Sequence, residues 1–285
     1  MRFYSNGKLL ITGEYVILDG ALSLAVPSLL GQSLEVTNNE SKHIKWLSKN
    51  SDGRVWFNCT IRIDNLKVEK TSSNDISNKL TDIIKVIREV NSTFLNKSGL
   101  DITSELTFDK DWGLGSSSTL ISNLSQLARI DPYELNNRVF NGSGYDIACA
   151  KSESPLLYRL IKNERDIEKV SFRPIFHEKI YFVYLNTKQN SLNEIRKYKD
   201  LNPSNSLINE ISDITKKLLK CRSGSQPIFF ASTGSNYGSI DEICTEETKV
   251  NPLTTYAKTK DKAEQLITNS NNFIAYRFAT AFGSS

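Results

Sequence analysis

The chain has 285 residues and a mass of 32.2 kDa, which allows one large domain or two modest ones. Apolar residues make up 39% of the sequence and charged residues 24%, with a net charge of +4. This composition excludes wholesale disorder and predicts a packed core. Both signs of charge are mixed along the chain and the apolar runs are too short to span a bilayer, so we expect neither a nucleic-acid-binding nor a membrane protein.

The N-terminal stretch 1–6 lacks the apolar run of a signal peptide, and we expect a cytoplasmic protein. The four cysteines, Cys59, Cys149, Cys221 and Cys244, are widely spaced and form no C-x-x-C pair. The sequence therefore predicts neither a zinc site nor a disulfide framework.

Alternating apolar and polar residues broken by glycines predict strands within the first 36 residues. Apolar residues at helical spacing then predict a helix over 76–90, followed by a strand over 102–108, a glycine-containing loop and a helix over 120–128. Five later elements are predicted in the same way: a strand over 180–185, a helix over 207–219, a strand over 228–231, a helix over 256–267 and a strand over 273–278. The chain thus mixes helix and strand throughout, and the fold class is α/β or α+β.

The loop before the helix at 120 has the features of a phosphate-binding loop. It consists of Gly113, Leu114, Gly115, Ser116, Ser117 and Ser118. Glycines allow the backbone to approach an anion, the helix N-terminus offers unpaired N–H groups, and serine hydroxyls can bind phosphate oxygens or Mg²⁺. No Lys-Ser/Thr pair follows the glycines, so this is not a Walker A loop. A polar turn with serine caps is the alternative.

Two further stretches extend this motif: residues 7–15, Gly-Lys-Leu-Leu-Ile-Thr-Gly-Glu-Tyr, and residues 141–148, Asn-Gly-Ser-Gly-Tyr-Asp-Ile-Ala. Together with the loop they resemble the GHMP kinase family, which includes galactokinase, homoserine kinase, mevalonate kinase and phosphomevalonate kinase. The match is closest to a bacterial branch marked by Gly-Tyr-Asp-Ile-Ala, here residues 144–148, and the resemblance covers roughly residues 1–220.

The resemblance implies an ATP- and Mg²⁺-dependent kinase that phosphorylates a hydroxyl of a mevalonate-like or other small molecule. By this resemblance, the loop over 113–118 binds the nucleotide phosphates and Ser117 binds Mg²⁺. Asp146 orients or deprotonates the acceptor hydroxyl, and Lys8 stabilises charge near the reacting phosphate and holds Asp146 ionised. The simpler alternatives are a solvated surface lysine at position 8 and an Asx turn at position 146.

The sequence also departs from the family pattern. Tyr15 replaces the usual histidine after Glu14, and Asp111-Trp112 replaces the proline that often precedes the loop. The family's Mg²⁺-binding glutamate has no clear match, and Glu134 is the nearest candidate. The family's third glycine-rich motif is not found, so the resemblance implies a truncated second domain.

Residues 227–285 carry a second resemblance, to the middle of an extended short-chain dehydrogenase/reductase of the NAD-dependent epimerase or dehydratase kind. The order strand, Thr, Tyr-Gly, Pro-Leu, Tyr-x-x-x-Lys and strand supports it. The resemblance implies that Thr233 polarises the substrate, Tyr256 is the acid/base and Lys260 holds the ribose of NAD(P). That family binds NAD(P) through a Gly-x-x-Gly-x-x-Gly loop, and this sequence contains none.

We therefore expect a GHMP-type N-terminal two-layer domain over 1–175, a partial second domain over 176–220, a junction over 221–227, and a partial Rossmann-like strand–helix–strand segment over 228–285. Three functions stay open: a kinase, an NAD-dependent oxidoreductase fragment, and a non-catalytic remnant of a fusion. The sequence does not decide between a gene fusion, a deletion and an assembly artefact, nor does it give the phosphate acceptor or the oligomeric state.

Overall fold

The computed structural model describes residues 1–95, 98–140, 142–162, 164–174, 177, 182, 198, 203–220, 228–233, 248–268 and 273–278. The chain divides into two compact units, the first formed by Met1–Phe172 and Asn186–Leu218 and the second by Arg173–Leu185 and Leu219–Ser285. The strand predicted over 180–185 and the junction over 221–227 lie outside the described residues, apart from Phe182.

The first unit is built on an eight-stranded sheet. Its strands are β1 (Arg2–Leu10), β2 (Ser23–Asn39), β3 (His43–Lys49), β4 (Val55–Arg62), β5 (Val68–Thr71), β6 (Gly99–Leu106), β7 (Leu156–Ile161) and β8 (Glu164–Lys169). They run in the order β5-β4-β3-β6-β2-β7-β8, with β1 paired to β2. The β3–β6 pair is parallel, whereas the other pairs of this sheet are antiparallel.

A layer of helices covers this sheet, comprising α1 (Asn74–Val90), α2 (Ser116–Ala128), α3 (Pro132–Val139) and α4 (Tyr145–Ala150), with a short 3₁₀ helix at Val16–Asp19. The main core lies between the layers. Ile87 of α1 and Ile121 of α2 are fully buried there against sheet residues that include Phe57. Removing such side chains from water is the main favourable contribution to folding. The predicted two-layer α/β architecture is confirmed.

The pairing of β1 with β2 contains an irregularity at Gly7. Asn6 lies opposite Gly31, but Lys8 lies opposite Pro27, so β2 bulges over 28–30. A Cβ on Gly7 would lie 2.7 Å from Ser28 Oγ and 2.9 Å from Leu114 O, which leaves room for glycine alone. The bulge thus brings β1 into close contact with the glycine-containing loop.

Helix α2 is fastened to the sheet by hydrogen bonds as well as by apolar packing. Ser5 Oγ of β1 lies 2.8 Å from Ser122 Oγ and 2.9 Å from Asn123 Oδ1. Asn123 Nδ2 donates to Gln32 O at 2.9 Å, and Thr119 Oγ1 donates to Gln32 Oε1 at 2.7 Å. Each of these five residues is at most 3% exposed. Buried polar groups with satisfied partners fix one orientation of the helix, because any other would leave them unpaired.

The helix predicted over 207–219 is α5 (Asn205–Lys220), and it docks on the N-terminal part of the same unit. Thr215 Oγ1 donates to Leu22 O at 2.7 Å, and Leu22 N donates to Ser212 Oγ at 3.0 Å. Thr215 Oγ1 also lies 2.7 Å from Thr12 Oγ1. Part of the stretch predicted as an incomplete second domain therefore packs on residues 12–22.

The second unit contains β9 (Ile228–Thr233), α6 (Thr255–Thr268) and β10 (Phe273–Phe278). The three elements lie where the sequence predicts them, and the two strands pair in parallel with Phe273 opposite Ile228. Parallel strands require a crossover connection, and α6 lies between them in the chain. Within the described residues, no helix combines the length and the apolar character needed to cross a bilayer.

Replacing Asn123 with alanine should destabilise the first unit. The change removes the acceptor facing Ser5 and the donor to Gln32 O, both in a buried setting, and should lower the free energy of unfolding by about 2–4 kcal/mol. The three tryptophans, Trp46, Trp56 and Trp112, all belong to the first unit. Urea unfolding followed by tryptophan fluorescence therefore measures this unit.

The matched control is Gln126→Ala, which changes an exposed amide on the same helix. Its effect should stay within about 0.5 kcal/mol. An equal loss in the two variants would mean that the buried network contributes nothing specific.

Candidate active site

The loop over 113–118 comprises the end of the connection from β6 and the first residues of α2. Its conformation depends on two glycines. Gly113 and Gly115 have φ angles of +77° and +89°, a region that L-residues with side chains rarely adopt. Leu114 between them is 2% exposed and packs with Leu106 and Phe108. The loop is therefore anchored by one apolar side chain while both glycines keep the backbone accessible.

Helix α2 starts at Ser116, and among the described residues no side chain caps its N-terminus. The Thr119 N–H donates to Gly115 O at 3.0 Å, and Ser118 Oγ donates to the same carbonyl at 2.8 Å. The Ser117 side chain is exposed. The first turn thus presents backbone N–H groups and the positive end of the helix dipole, which together favour an anion.

Lys8 is brought to this loop by the backbone of β1. Its N–H donates to Leu114 O at 3.0 Å. Its side chain passes over Gly115, since a Cβ there would lie 3.1 Å from Lys8 Cγ and 3.5 Å from Lys8 Cε. The ammonium lies 5.3 Å from the centroid of the Tyr145 ring, within the range of a cation–π contact. Lys8 is therefore half-buried beside the N-terminus of α2, and its side chain is not fully exposed.

Asp146 lies in the first turn of α4. The helix begins at Tyr145, directly after Gly144, whose φ of +86° lets the chain turn into the helix. Burial raises the pKa of Asp146, and the nearby Lys8 charge opposes this shift. A hydrogen bond donated by the Ile147 N–H at 3.0 Å and the nearby Ser118 side chain also favour the carboxylate. The sequence predicted that Lys8 would hold Asp146 ionised; the attraction is present, but desolvation is the larger effect.

A second carboxylate, Glu14, lies close enough to Lys8 to be attracted by it. The Glu14 side chain keeps exposed surface, yet the surrounding protein desolvates it enough to raise its pKa. Both Glu14 and Asp146 also act on the Tyr145 phenol, whose pKa burial raises. Sequence reasoning assigned Glu14 no role, although the Gly-Glu-Tyr stretch at 13–15 was the available signal.

Tyr15, in place of the family's histidine, has a φ of +62° and stacks on Tyr198 with ring centroids 5.8 Å apart. The Tyr198 hydroxyl donates to Asp19 Oδ2. Two stacked tyrosine rings therefore lie next to Glu14 in the chain, at the position where the family pattern has a histidine.

Glu134, the carboxylate predicted to bind Mg²⁺, is exposed in the first turn of α3. Its role stays a prediction. Among the described residues, no group of three or more His, Cys, Asp or Glu side chains could hold a metal ion.

The residues predicted for an NAD site belong to the second unit. Thr233 ends β9, and Tyr256 and Lys260 lie one turn apart on α6, but the side chains of Thr233 and Tyr256 lie outside the described part. Lys260 is partly buried, and burial lowers its pKa. Their roles also stay predictions.

A cavity of about 380 Å³ lies elsewhere on the first unit, lined by residues that include Asp19, Arg159 and Asn205. Arg159 Nε donates to Gly20 O at 2.7 Å, and Asp19 accepts from the Tyr198 hydroxyl. Because these charged groups already have partners and the loop does not line the cavity, we place the candidate active site at the loop and not at this cavity.

Replacing Asp146 with asparagine should stabilise the fold in a pH-dependent way. Because the folded-state pKa lies above the ordinary Asp value of about 3.9, the native wild type binds more protons than the unfolded chain. Its free energy of unfolding therefore falls as the pH rises above that value. From pH 4 to pH 8, the free energy of unfolding of the variant should therefore rise relative to that of the wild type, as measured by urea unfolding at several pH values.

Asp213→Asn is the control with the opposite sign, since a hydrogen bond from Lys216 lowers the pKa of Asp213. For this control, the free energy of unfolding of the wild type should rise relative to that of the variant as the pH rises. A flat difference for Asp146→Asn, or one that moves in the wild type's favour, would contradict the raised pKa.

No family model matches the sequence. Among solved structures, the chain is similar to the mevalonate kinase of Methanococcus jannaschii, with 15% identity, 78% of this chain and 73% of that chain covered, and a TM-score of 0.54. It is also similar to Leishmania (L. major) mevalonate kinase in complex with R-mevalonate, with 14% identity, 77% and 68% covered, and a TM-score of 0.52. The Lin0012 protein of Listeria innocua gives 14% identity, 77% and 71% covered, and a TM-score of 0.52. The chain thus has a GHMP kinase-like fold, and identities this low show the fold alone.

Proposed function

We propose that this chain is an ATP-dependent kinase that phosphorylates a hydroxyl group of a small molecule. The observation that carries the proposal is the meeting of three features: the open N-terminus of α2, the Lys8 side chain that passes over Gly115, and the buried Asp146 carboxylate that the Lys8 charge attracts. Phosphoryl transfer requires a nucleotide held in place, charge neutralised at the reacting phosphate and an oriented nucleophile. Each feature supplies one of these.

The loop over 113–118 would hold the phosphates. Its glycine backbone and the N–H groups of Ser116 and Ser117 would bind the anion with little reorganisation, because the loop is already anchored through Leu114. The side chain of Lys8 passes over Gly115 of the same loop, close enough to Asp146 to attract it. There it would neutralise negative charge on the phosphate to be transferred.

Magnesium fits this arrangement as an ion that arrives with ATP. The exposed hydroxyl of Ser117 lies at the helix N-terminus, where it would ligate an ion bound to the phosphates, and the candidate carboxylates are Glu14 and Glu134. When bound, the ion neutralises phosphate charge and orients the transferred group.

Asp146 would accept the proton of the acceptor hydroxyl. Its raised pKa makes the carboxylate a stronger base than an exposed aspartate, and the Lys8 charge opposes part of that rise.

The acceptor is a small alcohol, and a mevalonate-like molecule is our finer proposal. It rests on the resemblance of the three sequence stretches and on the fold shared with mevalonate kinases, one of which is in complex with R-mevalonate. Glu14 lies near Lys8, and both Glu14 and Tyr15 lie near Tyr145, next to Asp146 in the chain. We propose that these two residues help to select among acceptors.

The purified full chain should bind Mg-ATP in calorimetry and release ADP in the presence of a small alcohol, with mevalonate tested first. Asp146→Asn should lower kcat by about 10²- to 10⁴-fold while the Kd for Mg-ATP changes less than about threefold, because general-base catalysis acts on the chemical step. Asp166→Asn, an exposed carboxylate on β8, is the control and should leave both values unchanged.

A wild-type chain that does not bind Mg-ATP would show the kinase proposal to be wrong. Binding without turnover on any alcohol would instead favour the non-catalytic remnant.

A second proposal, an NAD-dependent oxidoreductase fragment, concerns residues 228–285. Its support is the parallel pairing of β9 with β10 and the partly buried Lys260 on α6. The sequence offers no Gly-x-x-Gly-x-x-Gly loop for the cofactor. This proposal expects NAD to bind the full chain in calorimetry and binding to weaken at least about tenfold in Lys260→Met. Lys258→Met, an exposed lysine on the same helix, is the control. Absence of NAD binding would refute it.

A further inference from the structure

Tyr145 is the aromatic residue of the stretch 144–148, and the proposed mechanism gives it no role. Its ring lies under the Lys8 ammonium, 5.3 Å from ring centroid to Nζ. The ring packs at the edge of a buried cluster of Ile17, Ala25, Ala148, Cys149, Leu156 and Tyr158. Because α4 begins at Tyr145, directly after the left-handed Gly144, the backbone of this residue is also fixed. The surface that Lys8 contacts is therefore a firmly supported one.

The Lys8 ammonium is attracted by two carboxylates but is paired with neither. Its charge acts on both Glu14 and Asp146. Within the described part of the chain, however, Lys8 forms no ion pair with a carboxylate oxygen. Among the described groups, the close partner of this cation is therefore an aromatic face.

An aromatic face suits a lysine that has to act on a phosphate. The stem of Lys8 runs along Gly115, since a Cβ there would lie 3.1 Å from Lys8 Cγ, but the end of this flexible side chain needs a second contact to stay in one place. A π-face attracts the ammonium without occupying its three N–H donors in conventional hydrogen bonds. A carboxylate would hold the same ammonium by taking up those donors.

The Tyr145 ring stays neutral in this setting. Burial raises the pKa of its phenol well above the usual range, and the nearby negative charges of Glu14 and Asp146 raise it further. The contact with Lys8 is therefore one between a cation and a neutral ring, and the ring face is the part of Tyr145 that attracts the ammonium.

We propose that Tyr145 is a positioning residue, whose ring face holds the Lys8 ammonium in place for the phosphate and keeps it from pairing with Asp146. This inference rests on the proposed kinase function and adds a residue to it. Tyr145 and Asp146 are neighbours in the first turn of α4, so one turn of helix would carry both the proton acceptor and the support for the cation.

The first test changes the electron density of the ring and keeps its shape. The full chain carries either phenylalanine or a trifluorinated phenylalanine at position 145, and kcat is measured from ADP release with Mg-ATP and the acceptor alcohol. Tyr145→Phe should keep kcat within about twofold of the wild-type value, because the contact uses the ring face and not the hydroxyl. Fluorine withdraws electron density from that face, so the trifluorinated ring should lower kcat at least about threefold below Tyr145→Phe.

Position 133 provides the matched control. Tyr133 holds a different cation, Arg165, whose guanidinium carbon lies 4.5 Å from the ring centroid. The plain and the trifluorinated phenylalanine at position 133 should give equal kcat values, because this ring does not hold Lys8.

The second test is a double-mutant cycle with Lys8, also on the full chain. Tyr145→Leu keeps an apolar side chain on the supporting cluster and removes the ring, and it should lower kcat by about three- to thirtyfold. In a Lys8→Met background the same change should lower kcat less than about twofold, because a residue that acts through the Lys8 charge then has nothing to position. A merely structural ring would cause the same loss in both backgrounds.

Two results would overturn the inference: equal kcat values for the plain and the trifluorinated ring at position 145, or an equal loss from Tyr145→Leu with and without Lys8. Both leave the kinase proposal standing, since the wild type still turns over. If Tyr145→Leu does not fold, the first test decides alone, because both of its rings keep the shape of the tyrosine ring. A wild type without turnover refutes the kinase proposal, and the positioning inference with it.

Discussion

The candidate site depends on the contact between β1 and the loop that precedes α2. The Lys8 N–H reaches Leu114 O at 3.0 Å because residue 7 is a glycine and β2 bulges away from it. Behind this contact, Ser5 and Asn123 lock α2 onto the same strand through buried hydrogen bonds. One strand thus fixes both the helix that begins at the loop and the Lys8 side chain that lies over Gly115. A shift in either would separate Lys8 from the loop.

Placing charge in this recess works against stability. Desolvation raises the pKa of both Asp146 and Glu14, although Lys8 attracts both carboxylates. The unfavourable burial is tolerated because the main core, which lies between the sheet and α1–α3, holds the fold together independently. Perturbed carboxylates beside a half-buried lysine occur both at sites that carry out chemistry and in structural ion-pair networks, and here they support the site that we propose. The same desolvation strengthens every electrostatic interaction within the site.

The sequence predicted the loop, Lys8 and Asp146 because each lies in a local motif whose residue types reveal their chemistry. It could not predict which carboxylates join them. Glu14 is close to Lys8 in sequence and space, whereas Glu134 is exposed on α3. Choosing between such residues requires knowing which elements pack together, and local spacing does not contain that information.

The sequence by itself determined the α/β character, the loop-to-helix connection at Gly115–Ser116 and the positions of the later strands and helix, because these follow from local periodicity, glycine placement and capping. Only the tertiary structure decided that Lys8 lies close enough to Asp146 to attract it, that burial outweighs Lys8 in setting the pKa of Asp146, and that α5 packs on residues 12–22. These outcomes depend on contacts between residues up to about 200 positions apart, here Thr12 and Thr215. Distance, desolvation and burial are properties of the packed chain, and neighbouring residues in the sequence do not specify them.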